Sequence, residues 1–198
     1  THIIDTMPDG WQNWRKFRAI DFGFVDPFVC QWWCDSGEAL YLYREIYMSG
    51  RIVEDHARQI VELSKGEEYV ATVADHARED RETLHRHGVW TTPAEKDIDR
   101  GCDMVRARLR LQANGRPRIY LLNHALVEHD RRLAASKRPT STREEFDAYI
   151  WESRRDGQAK ERPLDRDNHG MDAMRYGICA AEGIGVSTPY LGVVDTWD

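Results

Sequence analysis

The feature that most constrains this 198-residue chain is a change of hydrophobic period about a quarter of the way along it. Residues 17–24 (FRAIDFGF), 28–34 (FVCQWWC) and 39–47 (ALYLYREIY) are apolar runs rich in aromatic and β-favouring side chains. Val25-Asp26-Pro27 and Asp35-Ser36-Gly37 separate them. Proline restricts the residue before it and offers no N–H, so the first separator is a turn. The three runs therefore predict three strands joined by tight turns, an antiparallel meander.

Beyond residue 50 the period lengthens. Val53, Ala57, Ile60 and Val61 recur at helical spacing and predict a helix over 51–64, ended by Lys65-Gly66-Glu67. A strand is expected over 69–75 (YVATVAD), a helix over 79–87 and a short extended piece over 89–92. Ile98, Cys102, Val105 and Leu109 predict a helix over 95–111, followed by a strand over 118–122 and a helix over 124–134. The polar stretch 136–143 reads as a loop and a mobile point, and 144–163 fits helix or strand equally. Met171, Met174 and Ile178 form the apolar stripe of a last helix over 168–182, with Asp167 or Asn168 as its N-cap. Three antiparallel strands followed by alternating helices and strands describe an α/β fold, a mixed sheet flanked by helices, as in ribonuclease-H-like proteins.

This length suits one α/β domain, and seven Trp with eight Tyr argue against disorder. The expected organisation is a lead-in over 1–16, a domain over 17–182 and a tail over 183–198. No apolar run approaches the roughly 20 residues needed to cross a bilayer, and no basic-then-apolar leader opens the chain. A start at Thr1 suggests a fragment of a longer polypeptide, expected to be intracellular and not secreted. Cys30, Cys34, Cys102 and Cys179 form no CxxC pair and read as core filler. His76, His85 and His87 match no ordinary zinc spacing.

The net charge of −6 is unevenly spread: residues 100–162 hold 15 basic and 9 acidic side chains, a net +6, which leaves −12 elsewhere. A basic middle beside an acidic remainder permits a phosphate-tracking surface next to a carboxylate site, and equally permits plain solvated helix faces.

Three carboxylates stand out. Asp21 interrupts an apolar strand, where a charge is costly to desolvate unless something positive compensates it. Asp75 ends a later strand, and ligands of open α/β sheets gather at strand ends. His169 and Asp172, three residues apart, share one face of the last helix. Folding that brings these acids together would create a site for hard divalent cations such as Mg²⁺ or Mn²⁺. Two such ions about 3.5–4 Å apart clamp an in-line phosphoryl displacement. His169 would join the coordination shell or move protons. Singly, each residue also has an ordinary reading as a turn, cap or first-turn side chain; their joint occurrence is what carries weight.

Four stretches resemble the C-terminal nuclease domain of the large terminase subunit of tailed bacteriophages: AIDFGFVDP (19–27), VADHARED (73–80), EKDIDRGCDMVRARL (95–109) and DNHGMDAMRYG (167–177). The resemblance implies a ribonuclease-H-like endonuclease that cuts double-stranded viral DNA during packaging. It implies Asp21, Asp75 and Asp172 as metal ligands and catalytic residues, with His169 beside them. Asn168 departs from the family, which commonly has an acid there, and Asp167 is the candidate replacement. Asp26 belongs to the opening motif but is explained by turn geometry. Lys96 matches a basic position of the family, and Lys96 and Arg106 are candidate nucleic-acid contacts. The implied partners are DNA, an ATPase domain, the small terminase subunit and the portal, in the cytoplasm of an infected bacterium, with the isolated domain monomeric. No Gly-x-x-x-x-Gly-Lys-Ser/Thr loop is present for ATP hydrolysis. Two rivals remain: a catalytically silent ribonuclease-H-like module that docks on DNA or the portal, and another nuclease of this fold such as a junction resolvase.

Overall fold

The computed structural model describes residues 1–95, 97–148, 151–153, 159–163 and 167–184. Its centre is the meander that the sequence pattern predicts. Strand β2 (Arg15–Asp21) pairs antiparallel with β3 (Phe28–Asp35), and β3 pairs antiparallel with β4 (Leu40–Met48). Parallel strands extend the sheet on both sides. β5 (Ala71–Ala74) adds to β2 and β6 (Thr92–Pro93) adds to β5. On the far side β7 (Ile119–Leu122) adds to β4, and β1 (Ile3–Ile4) adds to β7. The seven-stranded order is β1-β7-β4-β3-β2-β5-β6. The start of the lead-in thus forms an edge of the sheet.

Side-chain alternation along the meander divides the core in two. Phe17, Ala19 and Trp33 face one layer, with α3 (Ile98–Leu109) and α6 (His169–Ala181). Ile20, Cys30, Trp32 and Cys34 face the other, with α1 (Val53–Leu63) and α2 (Arg78–Arg86). Cys30 and Cys34 are buried free thiols on one face, as expected of core filler.

α6 lies closest to the meander. An added Cβ at Gly177 would sit 2.8 Å from Trp33 Nε1 and 3.4 Å from the Ala19 methyl, so helix and sheet touch almost backbone to side chain. Every residue from Met171 to Ala180 except Asp172 is buried. The helix is therefore covered on nearly all sides rather than along a single apolar stripe.

Two stretches differ from the sequence-based expectation. A helix over 124–134 does not form; only α4 (Arg131–Ala135) is helical. Residues Ala125 to Val127 instead run beside β4, where the Glu45 amide donates to Ala125 and the Val127 amide donates to Glu45. Asp130 starts the helix by accepting the Arg132 and Leu133 amides, a side-chain cap that fixes the boundary. The ambiguous stretch resolves into both forms: α5 (Thr142–Ala148), then the antiparallel pair β8 (Trp151–Ser153) and β9 (Ala159–Pro163). Lys96 and most of the expected tail, residues 185–198, lie outside the described residues. Among the described residues, no helix is long and apolar enough to cross a membrane.

Candidate active site

Strand register places the first two acids side by side. Ile20 pairs with Ala74 across the parallel β2–β5 contact, and the Asp75 amide donates to the Ile20 carbonyl at 3.0 Å. Asp21 and Asp75 therefore leave the C-terminal ends of adjacent parallel strands, where open sheets expose their ligand sites. α6 crosses the same end and brings its first turn over Asp21. His169 Nδ1 lies 2.9 Å from Asp21 Oδ2. With Asp21 ionised, the imidazole donates this bond, which turns Nε2 outward toward Asp26, 3.9 Å away.

The electrostatics of Asp21 and His169 follow from their surroundings. Asp21 is 7% exposed, and burial pushes its carboxyl up to about 6. The hydrogen bond from His169 opposes that rise, while the charges of Asp172 and Asp75 add to it. Burial alone would lower the His169 imidazole. The hydrogen bond and charge of Asp21, with Glu145 and Asp26 behind them, outweigh burial and raise it. Asp75, Asp172 and His169 thus all act on Asp21, although they are far from it in sequence.

Internal donors already engage these acids. Arg175 Nη2 reaches Asp172 Oδ1 at 3.0 Å, and the Asn168 side-chain amide donates to Asp172 Oδ2 at 3.1 Å. Asp75 Oδ1 accepts the His76 amide at 2.6 Å. Arg138 joins two other acids, with Nη2 on Asp26 and Nε on Asp167, both at 2.7 Å. Among the described residues, no three His, Cys, Asp or Glu side chains stand together at metal-holding spacing. The chemistry of the donor set nevertheless suits a hard cation: carboxylate oxygens dominate, and their mutual repulsion around buried Asp21 is what a divalent charge relieves.

The lesser candidates fall differently. Asp167, in a left-handed backbone conformation (φ 49°), reaches the same end of the sheet with its carboxylate on Arg138. Asn168, not Asp167, takes the N-cap position of α6, and it makes no side-chain cap hydrogen bond. Arg106 is on the exposed side of α3 and pairs with Asp103 one turn back. A cleft of about 1000 Å³ opens beside Asp75, lined in part by Phe22, Phe24, Arg51, Arg78 and Arg86.

Sequence reading missed a buried polar network under the first turn of α6. Gln31 Nε2 donates to the Gly170 carbonyl at 2.8 Å and to Thr142 Oγ1 at 2.7 Å, while Trp33 Nε1 donates to Gln31 Oε1. The Thr142 hydroxyl and amide donate to Glu45. Glu145 accepts the Gly170 and Met171 amides and the Tyr47 hydroxyl. Burial pushes Glu45 up to about 7 and Glu145 up to about 8. A signal was present: Gln31 and Glu45 interrupt apolar strands just as Asp21 does.

The sequence matches no protein-family model and no curated protein. The fold, however, is that of solved phage large terminases. The nuclease domain of the P22 large terminase superposes with a TM-score of 0.63 at 15% identity, over 91% of this chain and 87% of that one. The g2p nuclease domain of bacteriophage SPP1, solved with bound Mn, gives 0.61 at 18% identity over 84% and 86%. A large terminase from a thermophilic bacteriophage, solved in complex with ATP-gamma-S, gives 0.68 at 18% identity over 90% of this chain. This chain spans 42% of the length of that larger protein.

Proposed function

We propose that this chain is the nuclease part of a large-terminase-like protein and hydrolyses phosphodiester bonds of double-stranded DNA during phage genome packaging. The observation that carries the reading is the convergence of Asp21, Asp75, Asp172 and His169 at the open end of β2 and β5, with Asp21 buried and coupled to the other three. The shared fold with the SPP1 nuclease domain, solved with Mn, supports a divalent-metal site of the same kind here.

In this reading Asp21, Asp75 and Asp172 would hold Mg²⁺ or Mn²⁺, two ions with substrate bound, with His169 and Asp167 as further contributors. Such ions supply an activated water and stabilise the leaving oxygen. Asp21, fixed by the sheet and by burial, is the rigid member of the set. His169 takes its orientation from Asp21, whose hydrogen bond and charge raise its pKa, and its Nε2 is the ring atom left to hold or release a proton. The cleft beside Asp75 carries both signs of charge, Arg51, Arg78 and Arg86 with Glu54, Glu79, Asp80 and Glu82, so only its arginines would meet a phosphate backbone. The remainder of a large-terminase-like protein would provide the ATPase, and the small terminase subunit and portal would be its partners.

One observation favours the silent-module reading: Arg175 and Arg138 already neutralise Asp172, Asp26 and Asp167. Incubation of supercoiled plasmid with the chain and Mn²⁺ separates the two. The nuclease reading expects nicked and linear products that a chelator abolishes and that Asp75→Ala does not form. Plasmid left intact by folded wild-type chain, or cut equally by Asp75→Ala, would refute it.

A further inference from the structure

We infer that Glu145 is a positioning residue for the metal-binding acids: its carboxylate, carried by α5, fixes the first turn of α6 and so sets where His169 and Asp172 stand over Asp21. This inference rests on the nuclease reading above.

A helix leaves its first amides without intrahelical partners, and its own N-cap side chain normally satisfies one of them. α6 lacks that device. Asn168 turns its side-chain amide toward Asp172 instead. The two amides that follow His169 are taken by one residue from elsewhere in the chain. Glu145 Oε1 accepts the Gly170 amide at 2.9 Å and Oε2 accepts the Met171 amide at 2.8 Å. Both acceptors belong to one fully buried group, so they constrain the direction of the helix start as well as its position.

The seat has little freedom. The Tyr47 hydroxyl bonds Glu145 Oε1 at 2.5 Å. From the other side, Gln31 holds the Gly170 carbonyl. Gly170 has no side chain because none fits: an added Cβ would lie 2.2 Å from Thr142 Oγ1 and 2.9 Å from Thr142 Cα. Residues 169 and 172 flank this clamped pair within a single turn, so a shift of the seat moves both donors. Glu145 acts on the placement of His169 and Asp172 through the backbone of the turn they share. Outer partners of this kind commonly change metal affinity by about 10–100-fold.

The test compares Glu145→Gln with Tyr47→Phe in the whole chain. Gln places an amide donor against a helix N–H, whereas Tyr47→Phe removes a buried hydrogen bond to the same carboxylate and leaves both helix contacts in place. Amide hydrogen exchange in metal-free protein should show Gly170 and Met171 exchanging at least about tenfold faster in Glu145→Gln and several-fold less affected in Tyr47→Phe, which loosens the carboxylate but keeps both helix contacts. Calorimetric titration with Mn²⁺ should show affinity roughly tenfold weaker in Glu145→Gln, with cleavage recovering at saturating Mn²⁺, and a clearly smaller loss in Tyr47→Phe. If Glu145→Gln does not melt cooperatively, Glu145→Asp takes its place with the same expectations. Unchanged exchange and Mn²⁺ affinity in the Glu145 variant, or equal losses in Tyr47→Phe, would overturn the inference. Failure of the nuclease reading has a separate signature, in which Asp75→Asn binds Mn²⁺ as well as wild type. The exchange arm needs no metal and tests the seat in either case.

Discussion

The Asp75 amide donates to the Ile20 carbonyl at 3.0 Å, and that bond carries the β2–β5 pairing one step past the last paired residues to set Asp75 beside Asp21. Two acids far apart in the chain are thus brought together by parallel register alone. A buried acid beside two others is an electrostatic burden to the fold without a cation. Replacing Asp21 by Asn keeps the shape and removes the charge. Asp21→Asn should lose activity by more than the roughly 10–100-fold that removal of an outer partner costs. The melting temperature of metal-free protein should stay level or rise. Cleavage assays and thermal melts measured together check this; a stability loss in step with activity would contradict it.

Gly177 tests the contact that seats α6 on the sheet. An added methyl would meet Trp33 Nε1 at 2.8 Å and Cδ1 at 2.9 Å. Overpacking of this kind costs about 1–3 kcal/mol, and the gain in helix propensity from Gly to Ala offsets about 1 kcal/mol of it. The net cost of about 0–2 kcal/mol should lower the melting temperature of Gly177→Ala by up to roughly 8 °C. A melting temperature above wild type would mean that the helix has slack against Trp33.

His56 sets part of the acid limit of the fold. It is fully buried and stacked on Phe28, ring centroids 3.9 Å apart. Burial, with the charge of Arg51 added, lowers its pKa to about 3. A folded pKa below the unfolded value leaves stability intact above about pH 6.5 and erodes it as pH falls toward 3. The unfolding free energy of His56→Phe relative to wild type should therefore increase by roughly 2 kcal/mol between pH 7 and pH 5. Urea titrations at the two pH values measure it, and parallel behaviour of the two proteins would contradict it.

Much of this was legible in the sequence. The meander followed from period-2 runs between Asp-Pro and Ser-Gly turns, and Asp21 was conspicuous as a charge inside an apolar strand. Asp75 and Asp172 were legible by position, at a strand end and in a helix first turn. Glu145 was not, because Glu144-Glu145-Phe146 reads locally as any exposed helix start, and only tertiary structure buries one acid of that pair under α6. Arg138 was hidden for a similar reason. Its stretch is polar and loop-like, yet it ties Asp26 to Asp167. The misread helix over 124–134 shows strand pairing with β4 overriding helical propensity until Asp130 supplies a cap.

No base-reading element is evident among the described residues, so DNA contacts should be mainly to phosphates. Binding to plasmid or linear duplex should weaken by more than about tenfold between 50 and 200 mM salt, whatever the sequence. Affinity indifferent to ionic strength would point to contacts of another kind.

The central claim is that three acids distant in the chain share divalent cations. A crystal of this chain soaked in Mn²⁺ and measured for anomalous scattering tests it most directly. The account predicts manganese coordinated by carboxylate oxygens of Asp21, Asp75 and Asp172, with Arg175 displaced from Asp172. Manganese bound elsewhere, or those three carboxylates unable to meet at one ion, would contradict it.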